Sequence, residues 1–260
     1  MGLNLTEEEL HKACENIKEE IRKFAKESGC EGLVLGLSGG IDSAVVLKLA
    51  SDSEVNVKAL LLPEEELTSD EDMEDAEKLA QELRVEYDII GIKDVLDAIG
   101  GACSFEADRK SWGNVKPRVR MTFLYLTANL ERRLVMGTGN RTEIMLGYYT
   151  KYGDGGADFF PIGGLYKTQV RQLARHIRIP KRIMEKVPSA GLWDGQTDED
   201  ELGSDYETID RILYKLLDEK KSANAVAAEV KCRLEIVESL KKRVDANMHK
   251  RSLSPVFKPL

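Results

Sequence analysis

Gly36-Leu37-Ser38-Gly39-Gly40-Ile41-Asp42-Ser43-Ala44 follows the apolar segment Leu33 to Leu37 and precedes a second one, Val45 to Ala50. Apolar run, glycine pair and apolar run predict a strand, a tight turn and a helix. Adjacent glycines with flanking serines let successive backbone N–H groups converge on an anion, and the helix N-terminus behind them adds partial positive charge. This is a phosphate cradle. It carries no Lys at the position that defines a Walker A loop. The plain alternative is an ordinary strand-to-helix turn, where Gly and Ser are common. Asp42 weighs against that, because a carboxylate beside bound phosphate is repulsive unless a cation lies between them.

Outward from this turn the chain alternates. Strands are expected at Gly32 to Leu37, Val55 to Leu62, Val85 to Ile90 and Arg133 to Gly137. Helices are expected at Asp42 to Ser51, Asp70 to Leu83, Val95 to Ile99, Pro117 to Asn129 and Tyr166 to Ile177. Before the first strand, Thr6-x-x-Glu9 forms a capping box ahead of Leu10, Cys14, Ile17, Ile21 and Phe24 at helical spacing. Beyond Asp205 the pattern is helical throughout: Tyr206 to Leu217, Ala223 to Lys231 and Leu234 to Asn247. Alternating strands and helices predict an α/β fold with a doubly wound parallel sheet flanked by helices. One domain over residues 1–260, helical at about 205–250, is the expected organisation.

The 260 residues include 42% hydrophobic and 32% charged residues, the profile of a soluble globular chain. The net charge of −8 argues against general nucleic-acid binding. No apolar run is long enough to span a membrane and no signal-peptide core is evident, so a cytoplasmic location is expected. Cys14, Cys30, Cys103 and Cys232 lie far apart without metal-type spacing and read as reduced thiols. Three histidines exclude a His-rich metal centre.

Ligands of such sheets bind beyond the C-terminal strand ends. A second glycine turn, Gly137-Thr138-Gly139-Asn140-Arg141-Thr142-Glu143, follows the fourth strand at that edge. Thr138 offers a hydroxyl for a ribose or purine. Glu143, alone, reads as a helix-terminus charge; with Asp42 it becomes a pair of hard oxygen ligands for Mg²⁺. Gly147 to Asp158 holds four glycines, two aspartates and a lysine, a loop anchored by Tyr148, Tyr149, Tyr152 and Phe159-Phe160. Lys167, after a Gly-Gly turn, can place a cation on transferring phosphates, although a solvated helix lysine is the default. Arg118 and Arg120 are either phosphate or carboxylate binders or a solvated basic face. Pro188 to Gly203, long and polar with an exposed-looking Trp193, is a candidate lid.

The Ser-Gly-Gly-x-Asp-Ser loop resembles that of ATP pyrophosphatases, which split ATP into AMP and pyrophosphate. Taken with Arg118-x-Arg120-Met121, Gly137 to Glu143, Gly147 to Asp158, Pro161 to Lys167 and Pro188 to Glu199, it resembles the ammonia-dependent NAD⁺ synthetases over about residues 10–250. The resemblance implies amidation of deamido-NAD⁺ with ATP and ammonia through an acyl adenylate, releasing AMP and pyrophosphate. It implies that Gly36, Leu37, Ser38, Gly39, Gly40, Ile41, Asp42 and Ser43 hold the ATP phosphates, with Ser38 also in the catalytic set. Asp42 and Glu143 would bind Mg²⁺, and Thr138, Lys167 and Ser189 would contact ATP. Arg120, Lys151, Asp158, His249 and Lys250 would contact the dinucleotide, and Asp154 would hold or deprotonate ammonium. It further implies a homodimer whose subunits share the dinucleotide, and ammonia used directly, since the chain has no spare length for an amidase domain. Two rival readings are a different ATP pyrophosphatase (GMP, asparagine or tRNA-thiolating) and a nucleotide sensor without catalysis. The Gly147 to Asp158 loop opposes the first; Glu143, Asp154 and Lys167 together oppose the second.

Overall fold

A computed structural model describes residues 2–193, 195–252 and 256–257. The elements run α1 (Glu7–Ser28), β1 (Gly32–Gly36), α2 (Ile41–Ser51), β2 (Val57–Leu61), α3 (Asp70–Glu82) and β3 (Glu86–Ile89). Then come α4 (Lys93–Ala102), α5 (Arg109–Gly113), α6 (Val115–Glu131), β4 (Arg133–Met136), α7 (Arg141–Leu146), α8 (Lys167–His176) and α9 (Lys181–Met184). The last stretch holds α10 (Asp198–Leu202), α11 (Tyr206–Leu213), a π-helical turn (Tyr214–Asp218), α12 (Ala223–Val230), α13 (Leu234–Ala246) and a 3₁₀ turn (Met248–Lys250).

The four strands pair in parallel in the order β3-β2-β1-β4, so the expected α/β sheet flanked by helices is the fold observed. One sheet face, with Leu33, Leu35, Ala59 and Leu61, packs against apolar residues of α1, α2, α3 and α8. The other, with Val34, Leu60 and Val135, packs under α4 and α6. Burial on both faces explains why β1 and β2 read as apolar runs, whereas the edge strand β3 is largely exposed and carries Glu86 and Asp88. Lys58, within β2, is the exception. Its ammonium reaches Glu131 at 2.7 Å, Asp88 at 2.9 Å and Glu86 at 3.1 Å, so the buried charge is compensated. A third apolar cluster joins α11, α12 and α13 to Leu146 and Tyr166.

The Thr6–Glu9 capping box forms as expected. Phe24 does not follow the inward stripe: it is 39% exposed, and Ala25 takes the buried position four residues after Ile21. Its ring packs on Phe159 at 4.8 Å instead. Among the described residues no helix is long and apolar enough to cross a membrane. The chain passes from β3 on one side of β1 to β4 on the other. The strand order therefore reverses beside β1, and a crevice opens there between the loops after β1 and β4.

Candidate active site

The Ser38-to-Ser43 turn is held by its own side chains. Ser43 Oγ donates to the Gly40 carbonyl at 3.0 Å and lies 3.1 Å from Ser38 Oγ, which accepts the Gly40 N–H at 3.3 Å. The N-cap residue Gly40 has no side chain to cap α2, which leaves first-turn N–H groups open to the crevice. Gly39 adopts φ +79°, and a Cβ there would lie 2.4 Å from the Asp72 carbonyl oxygen of α3. Gly39→Ala therefore combines a left-handed backbone, a cost on the order of 1–3 kcal/mol, with a backbone clash that pushes α3 off the loop. The expected result is a lowered melting temperature and at least about tenfold weaker ATP binding, measured by thermal unfolding and nucleotide titration.

On the facing loop Asn140 caps α7, and Glu143 completes a capping box by accepting the Asn140 N–H at 3.1 Å. Glu143 is thus a helix-terminus charge that also faces the cavity. Fully buried Asn140 also donates from Nδ2 to Asp42 Oδ1 at 3.1 Å, tying the two loops across the crevice. Lys167, the first residue of α8, places its buried ammonium in a short contact with Asp42 Oδ2 and 3.6 Å from Glu143 Oε1. Burial alone would favour the neutral amine; Asp42 and Glu143 outweigh it and hold the proton on Lys167. Burial, followed by the like charge of Asp42, pushes the Glu143 carboxyl above its ordinary range. Asp42 and Glu143 are hard oxygen donors of the kind Mg²⁺ takes, and here the Lys167 ammonium lies against both. Among the described residues no group of three or more His, Cys, Asp or Glu side chains is arranged to hold a metal.

These residues line a cavity of ≈1230 Å³. A single-ligand pocket holds roughly 300–1,000 Å³, so two reactants fit. The cavity also takes in Ser38, Thr138, Arg120, Asp154, Ser189 and Lys250. Asp154 Oδ1 accepts the Thr150 N–H at 2.8 Å, and burial raises its carboxyl above the ordinary range. Gly155 permits this loop, because a Cβ there would meet the Tyr149 ring at 2.1 Å. Lys250 donates to the Gly147 and Tyr149 carbonyls at 2.6 and 2.7 Å, and Arg120 to the Leu62 carbonyl at 2.9 Å.

Gly39 of the cradle and three expected dinucleotide contacts, Lys151, Asp158 and His249, lie outside the cavity lining. Lys151 donates to the His249 carbonyl at 3.1 Å; Asp158 accepts the Val135 N–H at 2.7 Å and the Tyr125 hydroxyl at 3.3 Å. Trp193 is half-buried beneath the Arg109 guanidinium at 5.1 Å, not exposed; its neighbour Asp194 lies outside the described residues. Sequence reasoning missed Asn140, although its N-cap position before an Arg-Thr-Glu turn is legible. It also missed buried Asp198, which lines the cavity and accepts the Tyr206 and Tyr148 hydroxyls at 2.8 and 3.0 Å. Buried Lys116 pairs with Glu64 at 2.7 Å and donates to the Leu192 carbonyl at 2.8 Å.

Residues 13–254 match the family model described as NAD synthase. The chain belongs to the NAD synthase family. The NH(3)-dependent NAD(+) synthetase of Pyrococcus furiosus is 45% identical over 241 residues, 92% of this chain and 93% of that one. Among solved structures, the NMN synthetase from Francisella tularensis superposes with a TM-score of 0.85 at 34% identity, covering 97% of this chain and 99% of that one. The NH3-dependent NAD synthetase from Campylobacter jejuni gives 0.81 at 32% identity, with 96% and 99% covered.

Proposed function

We propose a division of labour among the cleft residues of this NAD synthase. The chain is a carbon–nitrogen ligase that amidates deamido-NAD⁺ to NAD⁺ with ATP and ammonia. A carboxylate resists a nucleophile because it is negative and lacks a leaving group; transfer of AMP makes it an acyl adenylate and releases pyrophosphate. Gly36 to Ser43 bind the phosphates through converging N–H groups and the α2 N-terminus, with Ser38 fixing the turn. Lys167 holds positive charge against the phosphates as pyrophosphate leaves. Thr138 and Ser189 contact ATP. Asp42 and Glu143 would hold Mg²⁺, which when bound neutralises phosphate charge.

Arg120 and Lys250 orient the dinucleotide, joined by Lys151, Asp158 and His249. Asp154 binds ammonium and takes its proton, freeing the lone pair that attacks the acyl carbon as AMP leaves. The observation that carries this reading is the pairing of Asp42 and Glu143 around Lys167 beside the open cradle. We also propose a homodimer in the cytoplasm. Support for the dimer comes from the dinucleotide contacts lying outside the cavity and from Leu126 and Leu130 of α6, which are 51% and 75% exposed. Support for a reducing compartment comes from four free cysteines.

The test is product formation from deamido-NAD⁺, Mg-ATP and ammonium beside a glutamine-only control. NAD⁺ with ammonium alone, and AMP in equal amount, is the expected result. The similarity to an NMN synthetase favours one second reading, amidation of the mononucleotide, so nicotinate mononucleotide belongs in a parallel arm. A higher kcat/KM for the mononucleotide would overturn the dinucleotide assignment.

A further inference from the structure

Lys167 and Glu143 sit on the first turns of two short helices, α8 and α7, and neither helix contributes to the sheet. Something must set their relative position. The first N–H groups of any helix need outside acceptors, and at α8 the N-cap residue Tyr166 supplies no side-chain cap bond. The Lys167 N–H donates to Thr142 Oγ1 at 3.0 Å, and the Thr168 N–H to Asp210 Oδ2 at 2.7 Å. Thr142 Oγ1 in turn donates to Asp210 Oδ1 at 2.5 Å. One carboxylate therefore holds the backbone beside Lys167 and the residue that precedes Glu143.

Asp210 has no solvent exposure, and Ile209, Ile212 and Leu213 of the same helix are equally buried. α11 is thereby locked against the body of the protein, and the carboxylate it carries is a fixed point. Electrostatics favour the same arrangement. A positive side chain is disfavoured at a helix N-terminus, and a negative group placed there offsets the dipole. Asp210 supplies that group from another element, 42 residues along the chain from Thr168.

We propose that Asp210 is a positioning residue for the ligase reaction. From α11 it caps α8 in trans and, through Thr142, fixes Lys167 and Glu143 in one register over the phosphate cradle. The inference rests on the reading of Lys167 as a phosphate-facing cation. It gives the C-terminal helices a part in the chemistry although Asp210 is absent from the cavity lining.

The experiment compares Asp210→Asn, Thr142→Val, Thr142→Ser and the double variant Asp210→Asn/Thr142→Val, with Lys167→Met alongside. Pyrophosphate release, NAD⁺ formation and melting temperature are followed. A misplacement of about 1 Å costs on the order of 100-fold in rate, so Asp210→Asn and Thr142→Val are expected to lower kcat by about 10- to 100-fold. KM for deamido-NAD⁺ stays within about twofold, because the dinucleotide contacts are elsewhere. Thr142→Ser, which keeps the hydroxyl, restores kcat to within about threefold of the parent. The double variant is no slower than the worse single, since both changes break one network.

If Asp210→Asn fails to fold, the Thr142 pair decides: a folded Thr142→Val with unchanged kcat overturns the proposal. So does a folded Asp210→Asn with unchanged kcat, an additive double variant, or a KM that rises as much as kcat falls. Unimpaired pyrophosphate release by Lys167→Met would overturn the reading of the site itself, and this inference with it. An inactive Lys167→Met beside fully active Asp210 and Thr142 variants would overturn this inference alone.

Discussion

Asp42→Asn is expected to stop pyrophosphate release from ATP while leaving the chain folded. Asparagine keeps the shape and can still accept the Asn140 Nδ2 bond that ties the two loops at 3.1 Å. What it removes is negative charge, and two groups depend on that charge. Lys167 loses its closest partner and keeps Glu143, 3.6 Å away, and the Tyr206 ring, 5.2 Å from its ammonium. Removing one partner of a buried ion pair costs up to about 3–5 kcal/mol; Asp42 is 18% exposed, so solvent screening reduces that and the melting temperature falls only modestly. The second dependent is the proposed Mg²⁺, left with one carboxylate. Loss of a single preorganised electrostatic contact costs about 10²–10³-fold in turnover, and here two are weakened together, so the deficit is expected at or beyond that upper figure. Pyrophosphate release, NAD⁺ formation and melting temperature measured on one preparation separate the cases. A folded variant that still releases pyrophosphate at the parent rate would remove Asp42 from the adenylation step.

The parts of this site that were legible in the sequence are those encoded by neighbours. The Thr6–Glu9 box, the apolar strands and the Ser-Gly-Gly turn each span fewer than ten residues, and local sterics dictate them. α7 has six residues, too few to show a helical period, so only its cap could announce it. Phe24 shows where period counting fails: Ile21 and Phe24 are three residues apart and Ile21 and Ala25 four, and the packing selects the second pair. What was not legible is what depends on distant partners. Asn140 meets Asp42 across 98 residues, and Asp210 meets Thr142 across 68. An aspartate in an amphipathic helix looks like a surface charge until the fold buries it. The same holds for Lys116, whose partners Glu64 and the Leu192 carbonyl come from two distant parts of the chain.

Asp154→Asn should produce the opposite defect to Asp42→Asn: ATP is still cleaved, but NAD⁺ is not made. The Asp154 side chain lines the cavity from a loop whose shape depends on Gly153 and Gly155, where a Cβ would strike Pro117 at 2.8 Å and Tyr149 at 2.1 Å. One carboxylate oxygen is fixed by the Thr150 N–H at 2.8 Å. Asparagine preserves that bond through its own Oδ1, so the loop keeps its form and only the negative charge is lost. A general base is worth roughly 10²–10⁴ in rate, and NAD⁺ formation should fall by that factor. AMP and pyrophosphate should continue to appear as water takes the place of ammonia on the adenylate.

The pH dependence gives an independent check on the same residue. Burial raises the Asp154 carboxyl above the ordinary aspartate range, against the pull of the Thr150 N–H. Below that raised pKa the group is neutral and can neither hold ammonium nor accept its proton; above it the carboxylate does both. Amidation in the parent enzyme should therefore decline as pH falls through a value higher than an exposed aspartate would give. In Asp154→Asn that acidic limb should vanish, leaving only the rise set by the fraction of free ammonia, which continues to higher pH. Saturating ammonium at high pH should recover part of the lost rate, because the solvent then supplies the deprotonated nucleophile. If Asp154→Asn instead cuts pyrophosphate release as deeply as NAD⁺ formation, Asp154 acts in adenylation, and the proton must leave ammonium by another route.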